Sequence, residues 1–376
     1  MRLLMVSGDR QVAVGEQGPF FAMQREFSRH FERIDVLCPR PERSVTVRTL
    51  FERVHLHPAD CGRAGMVSYI VRRGAELLRE NGATLIVSHD YGWFYNGIGS
   101  ARLSRASGVP YLSELHHIPG HPVAANLRER LDKWIARRYV GWAKSRAKAF
   151  RVVNSVEMPE LLRAWGVPEE QIVVLPSLYI DLDVFRPVAQ PLEPEQDVLF
   201  VGRMVENKGL ERIVTALERR AKAGQRTSAL FVGKGPLLGA TRAAVQRAGL
   251  QETVRFVEWV ARAEELAELY RRSRVVVCAS TCEGGPRVTV EALACGTPVV
   301  STPVGMMREL LVEGQNGAAA GFDVESLVAA LGRVLDDEGK RKSMAARARE
   351  AATRFEYASV LRGYADGLKR LAGERT

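Results

Sequence analysis

Short apolar runs rich in β-branched residues alternate with segments of helical periodicity along almost the whole chain. This alternation is typical of doubly wound parallel sheets, because strands buried on both faces read as continuous apolar runs and helices cover those faces. In the first half the pattern predicts strands over residues 2–7, 34–38, 84–89, 109–115, 149–153 and 171–175. In the second half it predicts strands over residues 197–201, 229–232, 254–257, 274–279 and 298–301. The predicted fold class is therefore α/β, with two Rossmann-like halves.

A proline-rich segment separates the two halves. Residues 181–194 contain three prolines and no helical period, which predicts an interdomain linker. We expect a first domain over residues 1–185 and a second over residues 186–356. Apolar residues recur at helical intervals in the segment that follows, and this predicts a C-terminal helix within residues 357–376. The length of 376 residues and the apolar content of 46% suffice for two hydrophobic cores.

Two glutamates, Glu283 and Glu291, straddle a predicted strand-to-helix junction. The strand over residues 274–279 precedes them, and Pro286 suits the first turn of a helix. Glu283 therefore falls in the loop beyond the carboxyl end of a strand, which is where open α/β sheets bind ligands. Helix N-termini at this edge favour anions. If the helix begins near Pro286, Glu291 lies about two turns into it and borders the same pocket.

A second motif follows the first predicted strand of the second half. The strand over residues 197–201 leads into Gly202 and Arg203, and Lys208 and Gly209 precede a helical pattern. Preorganised cations in such a loop stabilise the charge that develops on a departing diphosphate. Arg203 and Lys208 supply two such cations.

The stretch Glu283-Gly284-Gly285-Pro286-Arg287-Val-Thr-Val-Glu291-Ala-Leu-Ala-Cys-Gly-Thr-Pro-Val-Val300 resembles the donor-site signature of the retaining glycosyltransferases of family 4. The Gly202-Arg203 to Lys208-Gly209 loop resembles that family's phosphate-binding loop. The resemblance implies the GT-B fold, in which two Rossmann-like domains face each other across a cleft and a C-terminal helix crosses back to the first domain.

The resemblance also implies roles for individual residues. Arg203 and Lys208 contact the nucleotide diphosphate, and Glu291 accepts hydrogen bonds from the ribose hydroxyls. Glu283 orients the donor sugar together with a histidine at the end of a strand. The segment Pro110-Tyr-Leu-Ser-Glu-Leu-His116-His117 resembles the segment that carries this histidine, and its register favours His116. The remaining implied substrate-binding residues are Gly202, Gly284, Gly285, Pro286 and Arg287, with Gly15 and Gly18 on the first domain.

The chain departs from the family pattern in three places. Gly15 and Gly18 are separated where the family has adjacent glycines, although a helix starting near Pro19 would add N-terminal amides for an anion. Bulky residues over 177–180 replace Asn-Gly beside the linker. Gly285 replaces a larger residue, which widens the expected donor-sugar pocket.

Metal ligation is a weaker interpretation of the polar clusters. Three histidines, His116, His117 and His121, occur close together, but the intervening prolines and glycine prevent the helix that would bring them to one face. An Asp-x-Asp pair at Asp181 and Asp183 lies in the predicted linker. We therefore expect neither a metal nor a cofactor, with the nucleotide-sugar donor acting as a co-substrate.

The net charge of +10 concentrates partly in residues 128–151. There Leu131, Trp134, Ile135, Tyr139 and Trp142 recur at helical spacing among basic residues. This pattern is compatible with a basic amphipathic helix on an anionic membrane, or with a core-facing apolar stripe whose back is solvated. No compact recognition motif accompanies the charge, so we expect no nucleic-acid partner.

Compartment and redox state follow from other features. No run approaches the about 18 apolar residues of a membrane span, and residues 1–7 lack the apolar region of a signal peptide. We expect a cytoplasmic protein, with peripheral contact at the inner face of the membrane. The five cysteines are odd in number and form no Cys-x-x-Cys pair, so we interpret them as buried hydrophobes. They are Cys38, Cys61, Cys278, Cys282 and Cys295.

The resemblance implies a metal-independent hexosyltransferase that moves a sugar from a UDP- or GDP-linked donor to a hydroxyl acceptor, and it alone implies retention at the anomeric carbon. The membrane interpretation suggests that the acceptor is lipid-linked. Glycan, glycolipid or cell-envelope polysaccharide synthesis would need this chemistry. A sugar-nucleotide epimerase on the same architecture, which needs no acceptor, is the alternative enzyme. A sugar-nucleotide binder without turnover is the alternative outside catalysis.

Overall fold

A computed structural model describes residues 1–190 and 192–373 as two compact units. Unit 1 comprises Met1–Ile118, Leu131–Ser177 and the residues from Ala358 onward, whereas unit 2 comprises Pro119–Arg130 and Leu178–Tyr357. The chain therefore leaves the first unit at Ser177, a few residues before the predicted boundary at 185. Pro191 of the predicted linker and residues 374–376 of the predicted terminal segment lie outside the described residues.

Unit 1 is built on an eight-stranded sheet. Its strands are β1 Arg2–Val6, β2 Arg33–Cys38, β3 Thr49–Leu50, β4 Val54–Pro58, β5 Leu85–His89, β6 Tyr111–Leu115, β7 Ala149–Val152 and β8 Ile172–Val174. The strand order is β3-β4-β2-β1-β5-β6-β7-β8, and every pair is parallel except β3 with β4. Its helices are α1 Pro19–His30, α2 Met66–Asn81, α3 Tyr95–Ser107, α4 Leu127–Ala143 and α5 Glu157–Ala164, although the first four residues of α4 are assigned to unit 2.

Unit 2 is built on a fully parallel six-stranded sheet. Its strands are β9 Gln196–Val201, β10 Ala229–Val232, β11 Val254–Val257, β12 Ser273–Cys278, β13 Val299–Ser301 and β14 Gly317–Ala319, in the order β11-β10-β9-β12-β13-β14. Its helices are α6 Leu210–Lys222, α7 Leu238–Arg247, α8 Ala263–Arg271, α9 Arg287–Ala294, α10 Met307–Leu310, α11 Val324–Leu335 and α12 Glu338–Ala352.

The C-terminal helix α13, Tyr357–Ala372, packs in unit 1 from Ala358 onward. Tyr364, fully buried, packs its ring against Phe27 of α1 with centroids 5.0 Å apart. Gly367 lies so close to Leu175 that a Cβ at this position would overlap the leucine side chain. Unit 1 is therefore assembled from the two ends of the chain.

The two doubly wound sheets confirm the predicted fold class. Each predicted strand exists with bounds shifted by at most two residues, because continuous apolar runs mark strands that are buried on both faces. Three strands were not predicted, namely β3, β4 and β14. The buried-cysteine interpretation holds for four of the five cysteines, whereas Cys61 is only half-buried.

Candidate active site

The strand order in unit 2 reverses between β9 and β12, the first and fourth strands of the sheet. At such a topological switch point the loops that leave two adjacent strands diverge, and a crevice opens beyond their carboxyl ends. The loop after β9 carries Gly202, Arg203 and Lys208, and the loop after β12 carries Glu283. The two motifs that were separated in the sequence therefore flank one crevice.

Backbone contacts fix the loop after β9. The Gly202 amide donates to the Val232 carbonyl at 2.9 Å, and the Met204 amide donates to the Lys234 carbonyl at 2.9 Å. Gly233, with φ +143°, lies so close to this loop that a Cβ would overlap the Gly202 carbonyl oxygen. The two loops after β9 and β10 are thus packed backbone to backbone, and the Arg203 side chain remains exposed beside them.

Lys208 and Glu283 form an ion pair between the two loops that flank the crevice. Both side chains are mostly buried, with 19% and 16% of their surface exposed. The Ser280 hydroxyl donates a second hydrogen bond to the same Glu283 oxygen at 2.9 Å. Gly209, at φ +67°, ends the turn that presents Lys208 and packs against the Ala279 carbonyl. The structure therefore joins two of the predicted site residues directly.

The glycine-rich turn after Glu283 leads into helix α9. Pro286 occupies the N-cap position, and the helix itself begins at Arg287. The Met306 amide donates to the Gly284 carbonyl at 3.1 Å. A Cβ built on Gly285 would lie 3.5 Å from the nearest atom, which belongs to Leu178, so an added methyl group would fit there in ordinary van der Waals contact.

Glu291 lies about one turn into α9 rather than two, because the helix starts at Arg287. Its side chain is buried and accepts a hydrogen bond from the Tyr270 hydroxyl at 2.8 Å. Burial raises the pKa of Glu291 to about 7, although the positive charge of Arg287 and the hydrogen bond from Tyr270 oppose the shift. The Arg287 guanidinium stacks over the Tyr179 ring at 4.8 Å.

In unit 1 the strand order reverses between β1 and β5, and the loop after β1 carries the two predicted glycines. Gly15 has φ +84° and ends a short 3-10 turn over Val12–Val14. Gly18 is the N-cap of α1, and Pro19 occupies the first helical position as predicted. A Cβ on Gly18 would meet nothing within 4 Å, so the approach to the first turn of α1 is open on that side.

His116 follows β6 directly and is exposed. Its Nε2 lies 3.0 Å from Nη1 of Arg151, a fully buried residue of β7. Loss of hydration and the adjacent Arg151 charge lower the pKa of His116 well below its ordinary range. Because the residue retains contact with solvent, the cation at hydrogen-bond distance is the firmer of these two causes.

The metal-ligand interpretations gain no support within residues 1–190 and 192–373, where no group of three or more His, Cys, Asp or Glu side chains is arranged to hold a metal ion. Asp181 instead accepts hydrogen bonds from the Asp183 and Val184 amides at 2.9 and 3.3 Å. This is an Asx turn at the start of the linker.

Three residues that contact the predicted site residues were not themselves predicted, namely Tyr270 and Ser280 in unit 2 and Arg151 in unit 1. Tyr270 and Ser280 carry no distinctive sequence signal, because they act through hydrogen bonds to the two predicted glutamates. Arg151 does carry one, since a charged residue interrupts the apolar run of a buried strand, Ala149-Phe-Arg-Val152. Buried arginines are rare unless they are paired, so such an interruption marks a cluster with a counter-charge.

Two protein families match the chain, and each of them covers most of a different unit. The family described as glycosyl transferases group 1 matches residues 183–351. The family described as glycosyl transferase 4-like domain matches residues 21–177.

Several curated proteins are similar along most of the chain. D-inositol 3-phosphate glycosyltransferase 2 of Catenulispora acidiphila is 30% identical over 303 residues, which cover 75% of this chain and 70% of the relative. The D-inositol 3-phosphate glycosyltransferase of Xylanimonas cellulosilytica is 32% identical over 239 residues, but the match spans only 57% of this chain and 56% of that relative. Alpha-maltose-1-phosphate synthase of Mycolicibacterium smegmatis is 26% identical over 289 residues, covering 72% and 73% of the two chains.

Solved structures share the fold over almost the whole length. Sucrose-phosphate synthase from Thermosynechococcus elongatus superposes with a TM-score of 0.80 at 19% identity, covering 99% of both chains. Anabaena HepE, solved in complex with UDP and glucose, superposes with a TM-score of 0.75 at 20% identity, covering 98% of this chain and 100% of that one. At these identities the likeness establishes the fold, which is that of GT-B glycosyltransferases.

Proposed function

Since the chain belongs to glycosyltransferase family 4, we propose that it moves a sugar from a UDP- or GDP-linked donor to a hydroxyl group of an acceptor. The bond from the anomeric carbon to the diphosphate oxygen breaks, and a bond to the acceptor oxygen forms. The hydroxyl proton ends on the released diphosphate. The anomeric configuration is retained, and no metal ion takes part. The reaction serves the synthesis of a glycan, a glycolipid or a cell-envelope polysaccharide.

The observation that carries this proposal is the Lys208–Glu283 pair at the switch point of the unit 2 sheet. Ligands of open α/β sheets bind in this crevice. Lys208 is held there by a carboxylate, and Arg203 extends from the same loop. Lys208 is preorganised by its pair with Glu283, and with Arg203 it stabilises the charge that develops on the leaving diphosphate. The two cations supply the positive charge that other enzymes take from a metal ion.

The other residues take complementary roles in the proposed site. Glu291 accepts hydrogen bonds from the ribose hydroxyls, and Glu283 and His116 orient the donor sugar. Arg287 and the turn Gly284–Pro286 line the sugar pocket, while Gly202 allows close approach of the phosphates. In unit 1, Gly15 and Gly18 shape the loop that leads to the first turn of α1.

Titration of UDP and GDP into the purified protein by calorimetry tests the donor site first. We expect a micromolar dissociation constant for one of them, or about −7 to −8 kcal/mol. Heat from neither nucleotide would contradict the donor-site assignment. Binding that persists with excess EDTA, followed by transfer under the same condition, would support metal independence.

The transfer step is tested with a panel of donors and acceptors that includes D-inositol 3-phosphate, after which the anomeric configuration of the product is determined by NMR. Product formation that requires both substrates supports transfer. Conversion of the donor sugar by enzyme alone would instead indicate an epimerase. Nucleotide-sugar binding without turnover of any pair would indicate a binding protein.

We also propose that helix α4 places unit 1 on an anionic membrane at the inner face of the cell envelope. The core-facing side of the helix consists of Ala136, Tyr139, Val140 and Ala143, all buried. Leu131 and Trp134 lie on the opposite side and are 51% and 55% exposed. Apolar residues on both sides mean that the core accounts for only one of the two apolar stripes.

The outward side of α4 combines aromatic rings with arginines. Arg138 stacks over Trp134 with its Cζ 5.2 Å from the ring centroid, and Arg146 stacks over Trp142 at 4.4 Å. A surface pocket here is lined by Trp134, Arg137, Arg138, Gly141, Trp142 and Trp165. The only acidic residue within positions 131–143, Asp132, points away from this side. Tryptophans with arginines suit the interface of an anionic bilayer.

Co-sedimentation with vesicles tests the membrane proposal. The protein is expected to sediment with vesicles that contain an anionic phospholipid, more strongly at low salt, and not with neutral vesicles. Trp134→Ala and Arg138→Glu should each weaken sedimentation. Arg347→Glu on α12 makes the same charge change on an exposed residue of unit 2 and should not. Failure to sediment at low salt would rule the membrane contact out.

Within the described residues, none of the helices is both long and apolar enough to cross a membrane.

A further inference from the structure

Arg151 lies at the centre of a buried polar cluster in unit 1. It belongs to β7, has no exposed surface, and donates from Nε to the Leu175 carbonyl at 2.7 Å. Its Cζ lies 4.1 Å from the centroid of the Tyr364 ring on α13. A strand, a loop and the C-terminal helix therefore hold the guanidinium in one orientation.

The counter-charge in the cluster is Glu114 on the neighbouring strand β6. Its Oε1 lies 3.7 Å from Arg151 Nη1, and its Oε2 lies 2.9 Å from Nε2 of His89. The Tyr364 hydroxyl also donates to Glu114. Burial would raise the pKa of Glu114, but the Arg151 charge and the contact with His89 outweigh it and lower the pKa to about 2. The carboxylate is therefore ionised and balances the guanidinium.

Arg151 also reaches His116, the first residue of the loop that follows β6. Nη1 of Arg151 lies 3.0 Å from Nε2 of His116. A guanidinium donates hydrogen bonds and accepts none, so Nε2 must present a lone pair. In a neutral imidazole the other nitrogen then carries the proton.

We infer that Arg151 is a positioning residue that fixes His116 as a neutral imidazole with its proton on Nδ1. The ring can then donate a hydrogen bond from Nδ1, but it has no free lone pair with which to accept one. Its partner in a ligand is therefore an oxygen atom that accepts the hydrogen bond, not the proton of a hydroxyl group. Applied to the donor sugar, this role rests on the proposed function, which places a sugar hydroxyl oxygen next to His116. The tautomer itself rests on the Arg151 contact alone.

The charges around His116 favour the same state. Arg151 opposes a second proton on the ring, and the more distant Glu114 carboxylate is already paired with Arg151. The His89 and His116 rings lie with centroids 6.0 Å apart, and a charge on either opposes a charge on the other. His117, the adjacent residue, acts in the same direction.

Nitrogen-15 NMR of the histidine side chains in the nucleotide-free wild-type protein tests the tautomer directly. The chain has seven histidines, and His116→Asn identifies the signals of His116. We expect Nδ1 to resonate in the protonated range and Nε2 in the unprotonated range near neutral pH. Protonated Nε2, or two protonated nitrogens, would overturn the inference. Because no donor is present, this outcome is independent of whether UDP or GDP binds.

Two variants separate positioning from stability. Arg151→Gln replaces a side chain that only donates with an amide that can donate or accept, so we expect the His116 signals to shift toward mixed tautomers and kcat/KM to fall about 100-fold. Nucleotide affinity, a property of unit 2, should not change. Tyr364→Phe removes one hydrogen bond to Glu114 while it keeps the ring under Arg151, so it should lower the unfolding temperature and leave the tautomer as it is. An unchanged tautomer in Arg151→Gln would contradict the positioning role.

Discussion

The Tyr270 hydroxyl donates a hydrogen bond to the Glu291 carboxylate across 2.8 Å, inside unit 2. Both side chains are buried, and the Thr297 hydroxyl in turn donates to the Tyr270 carbonyl at 2.7 Å. The carboxylate proposed to bind the ribose is therefore held by a buried neighbour before any ligand arrives. With a pKa raised to about 7 by burial, Glu291 is close to half-protonated at neutral pH.

Nucleotide binding is accordingly expected to tighten as the pH rises. Ribose hydroxyls donate to an ionised carboxylate, so below the pKa of Glu291 binding must first release a proton. The dissociation constant should be about tenfold larger near pH 6 than near pH 8. Calorimetry in buffers with different heats of ionisation measures both the affinity and the proton release. Glu291→Gln should bind more weakly and show no slope between these pH values; a slope that persists in this variant would assign the titration to another group.

The sequence predicted the strands of both sheets well where burial produces continuous apolar runs, and it failed where neighbouring residues compensate for poor strand propensity. Strand β4 carries His55 and His57, and His57 Nε2 lies 2.8 Å from Oδ1 of the buried Asp35 on β2. Strand β14 is Gly-Ala-Ala, which has low strand propensity and gains its stability from pairing with β13.

The residues of the candidate site also separate into those that the sequence predicted and those that it did not. Glu283 and Lys208 were predictable because strand ends and helix starts place them at a sheet edge. The arginine cluster was not, because Arg151 depends on Glu114, Leu175 and Tyr364, which come from distant parts of the chain. Local patterns do not reveal such long-range pairings, although the charged residues inside apolar strands mark where to look.

Replacement of Lys208 by alanine is expected to lower kcat by about 100-fold or more, with a smaller effect on nucleotide affinity. The lysine interacts most strongly with the leaving diphosphate, whose charge increases in the transition state. Steady-state kinetics combined with calorimetry separate the two effects. Lys222→Ala, an exposed lysine at the end of α6, is the matched control and should retain full activity. An unchanged rate in Lys208→Ala would disprove its role in stabilising the leaving group.

Gly233 is expected to tolerate no side chain. It has φ +143°, and an added Cβ would overlap the Gly202 carbonyl oxygen, so Gly233→Ala should lower the free energy of unfolding by about 2 kcal/mol or more. Gly239 lies in helix α7 with no atom within 4 Å of an added Cβ. Gly239→Ala should therefore raise the unfolding free energy by about 0.5–1 kcal/mol. Urea titration of both variants measures the difference, and equal stabilities would contradict the close packing of the loops.

Tyr139 on α4 donates to the buried Asp90 carboxyl at 2.6 Å, and the Ser88 and Ser113 hydroxyls donate to it as well. Burial raises the pKa of Asp90 to about 7 against these hydrogen bonds. The folded protein then binds the Asp90 proton more tightly than the unfolded chain does, so this group makes stability fall as the pH rises toward 7.

Tyr139→Phe should make the free energy of unfolding fall more steeply as the pH rises. The lost hydrogen bond stabilises the ionised form most, so the variant should lose about 1 kcal/mol near pH 5 and about 2 kcal/mol near pH 8. Stacking on Phe94, with centroids 4.3 Å apart, is kept. Tyr69→Phe removes a hydroxyl that donates to the His57 carbonyl at 2.8 Å, and its cost should be nearly equal at both pH values. Urea unfolding at the two pH values would show whether the costs for Tyr139→Phe differ as expected.

Unit 1 cannot be completed until helix α13 has been synthesised, after all of unit 2. Multidomain proteins generally fold from the N-terminus as the chain leaves the ribosome. Here the unit that begins first needs Tyr364, which is translated after all of unit 2, to provide a hydrogen bond for the buried Glu114. Unit 2 can thus reach its native state while unit 1 still has an open groove. A chain truncated after residue 357 should hold a folded second domain beside an incomplete first one.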